Sequence, residues 1–221
     1  MIEPDANGYF ITGSDTDVGK TYIACQIVTQ LATLGNVETR KPAESGCTPD
    51  DSGELTTHDA AALQAANGER ETIERITPYR FCAALAPHRA ARLEGQRIFL
   101  QDLIDACERD EPGSRLIVEG AGGFYSPLAE NGLNADLASA LQLPVLIVVD
   151  DRIGAVNQAL MTIQAVESRH LPIAAIVLNQ VNRQTDDDMD NLTDLQACCQ
   201  HRLFRCAHGQ TLPRIFVPGD A

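Results

Sequence analysis

Tyr9-Phe-Ile-Thr12, Gly13-Ser-Asp-Thr-Asp-Val-Gly-Lys-Thr21 and Tyr22-Ile-Ala-Cys-Gln-Ile-Val-Thr-Gln-Leu-Ala-Thr-Leu34 follow one another without a break. The first run is apolar and strand-like. The second is a glycine-bounded loop, and the third repeats Ile23, Ile27, Leu31 and Leu34 on one helical stripe, so that a helix is expected from Lys20 to Leu34 with Gly35 as its cap. Strand, glycine-bounded loop and helix in that order make a phosphate-binding unit. Successive backbone N–H groups of such a loop converge on phosphate oxygens, the helix N-terminus adds positive potential, Lys20 reaches the terminal phosphates, and the Thr21 hydroxyl ligates Mg²⁺. Five residues separate Gly13 from Gly19, where the pattern G-x-x-x-x-G-K-[ST] has four. Ser14 therefore stands at the usual first-glycine position, and the loop is a variant.

Outward from this unit, short β-branched runs alternate with helical segments. Strands are expected at Tyr9–Thr12, Val37–Lys41, Arg115–Glu119, Pro144–Asp150 and Ile173–Asn179, with a weaker one at Arg202–Cys206. Further helices are expected at Asn134–Leu141, Gly154–Ser168 and Asp186–Cys199. This is the pattern of an α/β protein with a parallel sheet buried on both faces by helices. No linker or repeat divides residues 1–221, so one domain is expected. The stretch Ser45–Thr57 is dense in turn formers and reads as a mobile surface loop.

A 44% hydrophobic content with 22% charged residues fits a packed globular core rather than a disordered chain. The formal charge of −14 repels nucleic acid and anionic membrane surfaces, so neither is an expected partner. The opening MIEPDANGYF lacks the basic and apolar regions of a secretory signal, and the run Val145–Val149 is too short to span a bilayer. A cytoplasmic protein is expected. Its seven cysteines are odd in number and form no C-x-x-C pair, which suits reduced thiols. Cys198, Cys199, His201, Cys206 and His208 are zinc-binding types, but their spacing fits no standard finger or ribbon.

Glu119 ends its expected strand and runs into Gly120, Ala121, Gly122 and Gly123, which places a carboxylate at the ligand-binding edge of the sheet. Asp59 opens a helix after the turn-rich stretch, where the helix dipole alone also favours an acid.

The set GSDTDVGKT, RKPAESG, HDAAAL and VEGAGG, with Thr77-Pro-Tyr-Arg-Phe81, Pro87-His88 and Arg152-Ile-Gly-Ala-Val-Asn157, resembles the dethiobiotin synthetase family in order and spacing. The resemblance covers residues 9 to about 180. It implies a P-loop NTPase type of α/β fold, with about seven mainly parallel strands flanked by helices, in a homodimer. It also implies a cyclo-ligase of biotin biosynthesis, which closes 7,8-diaminopelargonate with CO₂ to dethiobiotin, ADP and phosphate through a carbamate and a carbamic-phosphoric anhydride. ATP is then a co-substrate and Mg²⁺ a cofactor.

Carried onto this chain, the resemblance implies Lys41, Lys20 and Thr16 as catalytic, with Lys41 projecting over the carboxyl edge toward the carbamate and γ-phosphate. Thr21, Asp59 and Glu119 would hold Mg²⁺. Asp17, Val18, Gly19, Lys20, Thr21, Tyr22, Asp59, Glu119, Gly120, Ala121, Gly122, Asn179 and Gln180 would bind the nucleotide. Thr16, Lys41 and Ser45, with Gly154, Ala155, Val156 and Asn157 of the neighbouring subunit, would bind the diamine and its carboxylate. The chain departs from the family's pattern in three places. Gln180 stands where an acid is common, Asp150 and Asp151 add negative charge before Gly154, and residues 198–220 lack the usual Gly-x-Ile-Pro segment of the base pocket.

Other readings compete. A MinD- or ParA-like switch ATPase would carry an extra lysine near the first glycine, where Ser14 and Asp15 stand, and a membrane-binding tail. The synthetase part of a cobyrinic acid amidotransferase would need a glutaminase domain. A catalytically degenerate paralogue would not need to keep Lys20, Lys41, Asp59 and Glu119 together.

Overall fold

The computed structural model describes residues 1–5, 7–183 and 188–217. The chain runs β1 (Gly8–Gly13), α1 (Lys20–Ala32), β2 (Val37–Arg40), β3 (Ala43–Ser45), β4 (Thr48–Pro49), β5 (Leu55–Thr56), α2 (Asp59–Ala66), α3 (Ile73–Ile76), β6 (Tyr79–Phe81), α4 (Pro87–Leu93), α5 (Leu100–Ala106) and β7 (Arg115–Gly123). It continues through β8 (Pro127–Ala129), β9 (Gly132–Leu133), α6 (Asn134–Leu141), β10 (Val145–Asp150), α7 (Ala155–Glu167), β11 (Ile173–Asn179), α8 (Asn191–Cys198) and β12 (Leu203–Cys206).

Six strands form the central sheet in the order β12-β11-β10-β1-β7-β2, and every pairing in it is parallel. The count is six among the described residues, against the seven or so that the resemblance implies. Short strands β3 and β6 pair with each other instead of joining the sheet.

Alternation within the strands explains the continuous apolar runs. Phe10, Val118, Ile147, Val149, Ile176 and Leu178 point into one core, against Ala155, Ala159, Ile163 and Val166 of α7 and Leu137 of α6. Tyr9, Ile11, Ile117, Leu146, Val148 and Val177 point into the other, against Ile23, Ile27 and Leu31 of α1 and Leu63 of α2. Both faces are thus buried, as parallel sheets with crossover helices require. Among the described residues, no helix is long and apolar enough to cross a membrane.

Several boundaries differ from expectation. Helix α1 ends at Ala32 with Thr33 as its cap, before Gly35. Strand β7 does not stop at Glu119 but runs to Gly123, because the glycines slip past an irregularity and Gly123 pairs with Gly13. The turn-rich stretch Ser45–Thr57 carries an exposed antiparallel pair, β4 with β5. Asp50 closes its turn by accepting from Ser52 N at 2.8 Å and Glu54 N at 3.1 Å. The helix expected from Asp186 is α8, beginning at Asn191 after the cap Asp190, and residues 184–187 lie outside the described ones.

Candidate active site at the phosphate loop

Strand β1 delivers Gly13 to the carboxyl edge of the sheet, and the loop turns into α1 at Gly19. Gly19 sits at φ 81°, in the left-handed region that favours glycine. A Cβ there would also lie 2.1 Å from the Asn179 amide nitrogen, so glycine is required twice over. That same amide donates to the Val18 carbonyl at 2.9 Å, fastening the end of β11 to the loop. Lys20 is nearly buried and donates to the Asp15 carbonyl at 2.9 Å. Burial, with the neighbouring Lys41 cation, brings its pKa down to about 8.

Four side chains from four elements converge beside Lys20. The Thr21 hydroxyl, on α1, lies 2.8 Å from Asp59 Oδ1 and 2.8 Å from Glu119 Oε1. Lys41, which follows β2, places its ammonium 2.7 Å from Asp59 Oδ2, 2.6 Å from Glu119 Oε1 and 3.2 Å from the Gly120 carbonyl. Burial opposes the Lys41 charge, but the two carboxylates outweigh it and hold the pKa above the ordinary lysine value. Burial likewise pushes the Glu119 carboxyl above the usual carboxylate range, with the Lys41 cation only partly offsetting it. Burial acts in the same direction on Asp59, yet Lys41 and the Thr21 hydroxyl outweigh it there, and its carboxyl stays below that range.

The residues fit a small hard cation. The donor set of Thr21, Asp59 and Glu119 is all oxygen, which is what Mg²⁺ takes. Glu119 is 1% exposed, yet its Oε2 has no hydrogen-bond partner. An orphaned buried carboxylate oxygen in a native fold calls for a ligand or ion.

A cleft of about 470 Å³ opens over this cluster, lined by Thr16, Asp17, Gly19, Lys20, Thr21, Lys41, Ser45, Asp59, Glu119, Ala121 and Gly122 of the sequence-predicted set. A second cleft, also of about 470 Å³, shares Thr16, Asp17, Ser45, Ala121 and Gly122, and adds an apolar wall of Ala84, Leu85, Ala86, Pro87 and Pro127. Other expected residues stand apart. Val18 is buried in the core beneath α1, and Tyr22 gives its hydroxyl to the Gln210 carbonyl at 2.8 Å. Gln180 accepts from the His208 amide at 3.1 Å. Gly154–Asn157 form the start of α7, with Ala155 buried and Gly154 and Asn157 exposed, and they line neither cleft of this chain.

Comparisons with known proteins assign the chain to a family. The family described as an AAA domain matches residues 7–205. The ATP-dependent dethiobiotin synthetase BioD of Vesicomyosocius okutanii is 43% identical over 174 residues, 79% of each chain. That of Anaeromyxobacter dehalogenans strain 2CP-C is 43% identical over 81% of this chain and 79% of its own. The Rhodopirellula baltica enzyme is 35% identical over 88% and 81%. The chain belongs to the ATP-dependent dethiobiotin synthetase family. It is therefore a ligase with ATP as co-substrate. Among solved structures, a ParA family ATPase from Chlorobium tepidum superposes with a TM-score of 0.52 at 13% identity, over 91% of this chain and 84% of its own. FtsY from Elizabethkingia anophelis with GDP also gives 0.52, at 15% identity, over 97% and 61%. At such identities the likeness concerns the fold alone, and the ParA match lends no weight to a switch ATPase.

Within this synthetase-family chain the three departures take physical form. The added acids before Gly154 are internally paired, Asp150 with Arg152 at 3.2 Å and the buried Asp151 with Arg205 of β12 at 2.8 Å. Asn191 of α8 also donates to Asp151 at 2.9 Å and to the Arg152 carbonyl at 3.0 Å. The atypical C-terminal segment lies on α1, where Gln30 bonds the Pro213 carbonyl at 3.1 Å and the Ile215 amide at 3.0 Å. The Cys/His set disperses: His201 faces Glu167 at 3.1 Å, His208 faces the Val181 carbonyl at 2.8 Å, and Cys206 is buried. All seven cysteines are free thiols.

Two supporting residues have no counterpart in the sequence reading. Asn134, fully buried at the start of α6, accepts from Ala121 N at 2.9 Å and donates to the Ala121 carbonyl at 2.7 Å and the Ser126 carbonyl at 3.1 Å. It pins the glycine-rich end of β7, where a Cβ on Gly120 would lie 2.6 Å from Asn134 Oδ1. Glu44 is the second. An asparagine at a helix start reads locally as a cap, which hid its longer-range work.

Proposed function

We propose that this chain closes 7,8-diaminopelargonate with CO₂ to dethiobiotin in biotin biosynthesis, consuming ATP with Mg²⁺ and releasing ADP and phosphate. The proposal includes a cytoplasmic homodimer of single-domain subunits, residues 1–221. The observation that carries it is the pair of joined clefts, one built on the phosphate loop and one walled by apolar side chains, meeting at Thr16, Asp17, Ser45, Ala121 and Gly122. A nucleotide polyphosphate suits the first. An alkyl chain bearing two amines suits the second, with its reacting end at the shared residues.

Thr21, Asp59 and Glu119 would hold Mg²⁺, which neutralises charge on the β- and γ-phosphates as transfer proceeds. Lys20 supplies fixed positive charge within the loop, and a polyphosphate beside it favours the protonated amine that burial disfavours. Lys41 acts on the carbamate. One amine adds to CO₂ and loses a proton. A carbamate oxygen then bonds the γ-phosphorus as the bond to the β-bridging oxygen breaks, and ADP leaves. The second amine attacks the carbonyl carbon, phosphate departs, and the amine proton is released to close the urea.

Lys41 serves this sequence by exchanging an Asp59 or Glu119 oxygen for the carbamate, with Thr16 and Ser45 hydroxyls at hand. The free N–H groups at the start of α7, from Gly154 to Asn157 of the neighbouring subunit, suit the substrate carboxylate. Pairing of Asp150 and Asp151 with arginines removes the negative charge that would oppose it. The test is single-turnover phosphate release from Mg·ATP and bicarbonate, with and without the diamine, with dethiobiotin followed by mass. Product that requires the diamine supports the reading; diamine-independent hydrolysis, or none, overturns it.

A further inference from the structure

Glu44 lies on β3 between Ala43 and Ser45, lines the first cleft with them, and is 4% exposed. Among the described residues its carboxylate makes no ion pair and is instead taken up by backbone amides. Oε1 accepts from the backbone N–H groups of His58 at 2.8 Å and Asp59 at 3.0 Å, and Oε2 accepts from that of Ala60 at 3.0 Å. These are consecutive amides at the N-terminus of α2. The local cap residue, His58, makes no side-chain capping bond, so a residue fourteen positions upstream does that work.

We infer that Glu44 is a positioning residue that fixes Asp59 against Thr21, Lys41 and Glu119. Asp59 is the first residue of α2, and its side chain is aimed by the orientation of its own amide plane. Glu44 clamps that plane and both of its neighbours with charge-assisted bonds. The other three members of the cluster sit on or beside central-sheet strands and α1, whereas Asp59 arrives on a separate eight-residue helix. Among the described bonds, the Glu44 clamp links the first turn of that helix to the chain segment that also carries Lys41 and Ser45. The inference rests on the proposed role of Asp59 as a Mg²⁺ ligand.

The experiment is calorimetric titration of ADP with and without Mg²⁺, which needs no turnover, on the wild type, Glu44→Ala, Glu44→Gln, Asp59→Asn and the double variant. Asp59→Asn reduces the Mg²⁺ affinity of the ADP complex. Glu44→Ala reduces it by about tenfold or more, the scale of losing an outer support of a metal ligand, and leaves metal-free ADP binding unchanged. Added to Asp59→Asn, Glu44→Ala costs nothing further, because it acts through that residue. Glu44→Gln keeps the bulk and one acceptor oxygen, giving a smaller loss in a protein that folds. Unchanged Mg²⁺ affinity in Glu44→Ala or Glu44→Gln overturns the inference, as does a further loss in the double variant. An Asp59→Asn enzyme with normal Mg²⁺ affinity removes the metal assignment itself, and the inference with it.

Discussion

Arg40, one residue before Lys41, offers the sharpest energetic test. It is fully buried and its guanidinium meets Glu38 at 2.7 Å, Asp110 at 3.3 Å and Glu71, and also donates to the carbonyls of Thr39 at 2.8 Å and Glu108 at 3.0 Å. Glu38 and Glu71 have side chains only 7% and 10% exposed, so Arg40→Met leaves two nearly buried carboxylates without their cation. Removing one partner of such a pair costs about 3–5 kcal/mol. The lower end applies here. Glu38 keeps the amides of Asp110 at 2.8 Å and Glu111 at 2.9 Å, and Glu71 keeps Thr39 N at 2.7 Å and Asn67 at 3.0 Å. About 3 kcal/mol in a chain of this size lowers Tm by about 6–12 °C.

The chain has no tryptophan, so urea unfolding is followed by far-ultraviolet circular dichroism. The pH dependence has a definite sign. Although burial acts to raise the Glu38 carboxyl, amide and hydroxyl donors and Arg40 hold it below the usual range. Its contribution to stability is present above the unfolded value of about 4.3 and fades as pH falls through the lower folded value. Once the Glu38 carboxyl is protonated it no longer needs the cation, so the gap between wild type and variant narrows in acid. A loss under about 1 kcal/mol at neutral pH, or a gap independent of pH, would falsify the account of a buried charge network.

Lys41→Gln lowers turnover by about a hundredfold with ADP affinity retained, the scale of one lost transition-state charge contact, and near-normal turnover in a rapid-quench assay removes Lys41 from its role. Asn134→Ala strands the Ala121 amide and carbonyl and costs about 2–4 kcal/mol, seen as a lower urea midpoint and faster hydrogen exchange at Ala121; a shift within error means that water replaces the side chain. Burial pushes the Cys107 thiol up to about 12, so at pH 8 it is neutral as well as sealed. Mass-resolved alkylation of the native enzyme then modifies the exposed Cys82 and Cys198 and spares Cys107, and equal labelling of all three contradicts the packing described here.

Much of the fold was legible because it is written in local periodicity. Strands β1, β10 and β11 carry apolar runs and α1, α6 and α7 helical periodicity, and these appear within a residue or two of expectation. Helices α4 and α5 are seven residues each, too short for a stripe to declare itself, although Pro87 at the start of α4 was a usable signal. The end of β7 was misjudged because its glycines read as a turn, while partner pairing with Gly13 carries the strand on. At the site, Lys20, Thr21, Lys41, Asp59 and Glu119 do converge. What local reading could not supply was that Lys41 is held by both acids, or that Glu44 and Asn134 brace their surroundings. Those bonds join residues far apart in order, and no spacing rule encodes them.

The Asn179–Val18 bond changes how base selectivity can be engineered in this chain. The family resemblance implies that Asn179 contacts the nucleobase, and its amide also locks the left-handed turn that opens α1. Replacing it removes the bond that fastens β11 to the phosphate loop, so any change in base preference would come with a change in the loop itself. Under that implied role, Asn179 cannot be varied for base preference without disturbing the turn, whereas the His208–Gln180 and Tyr22–Gln210 bonds do not involve it.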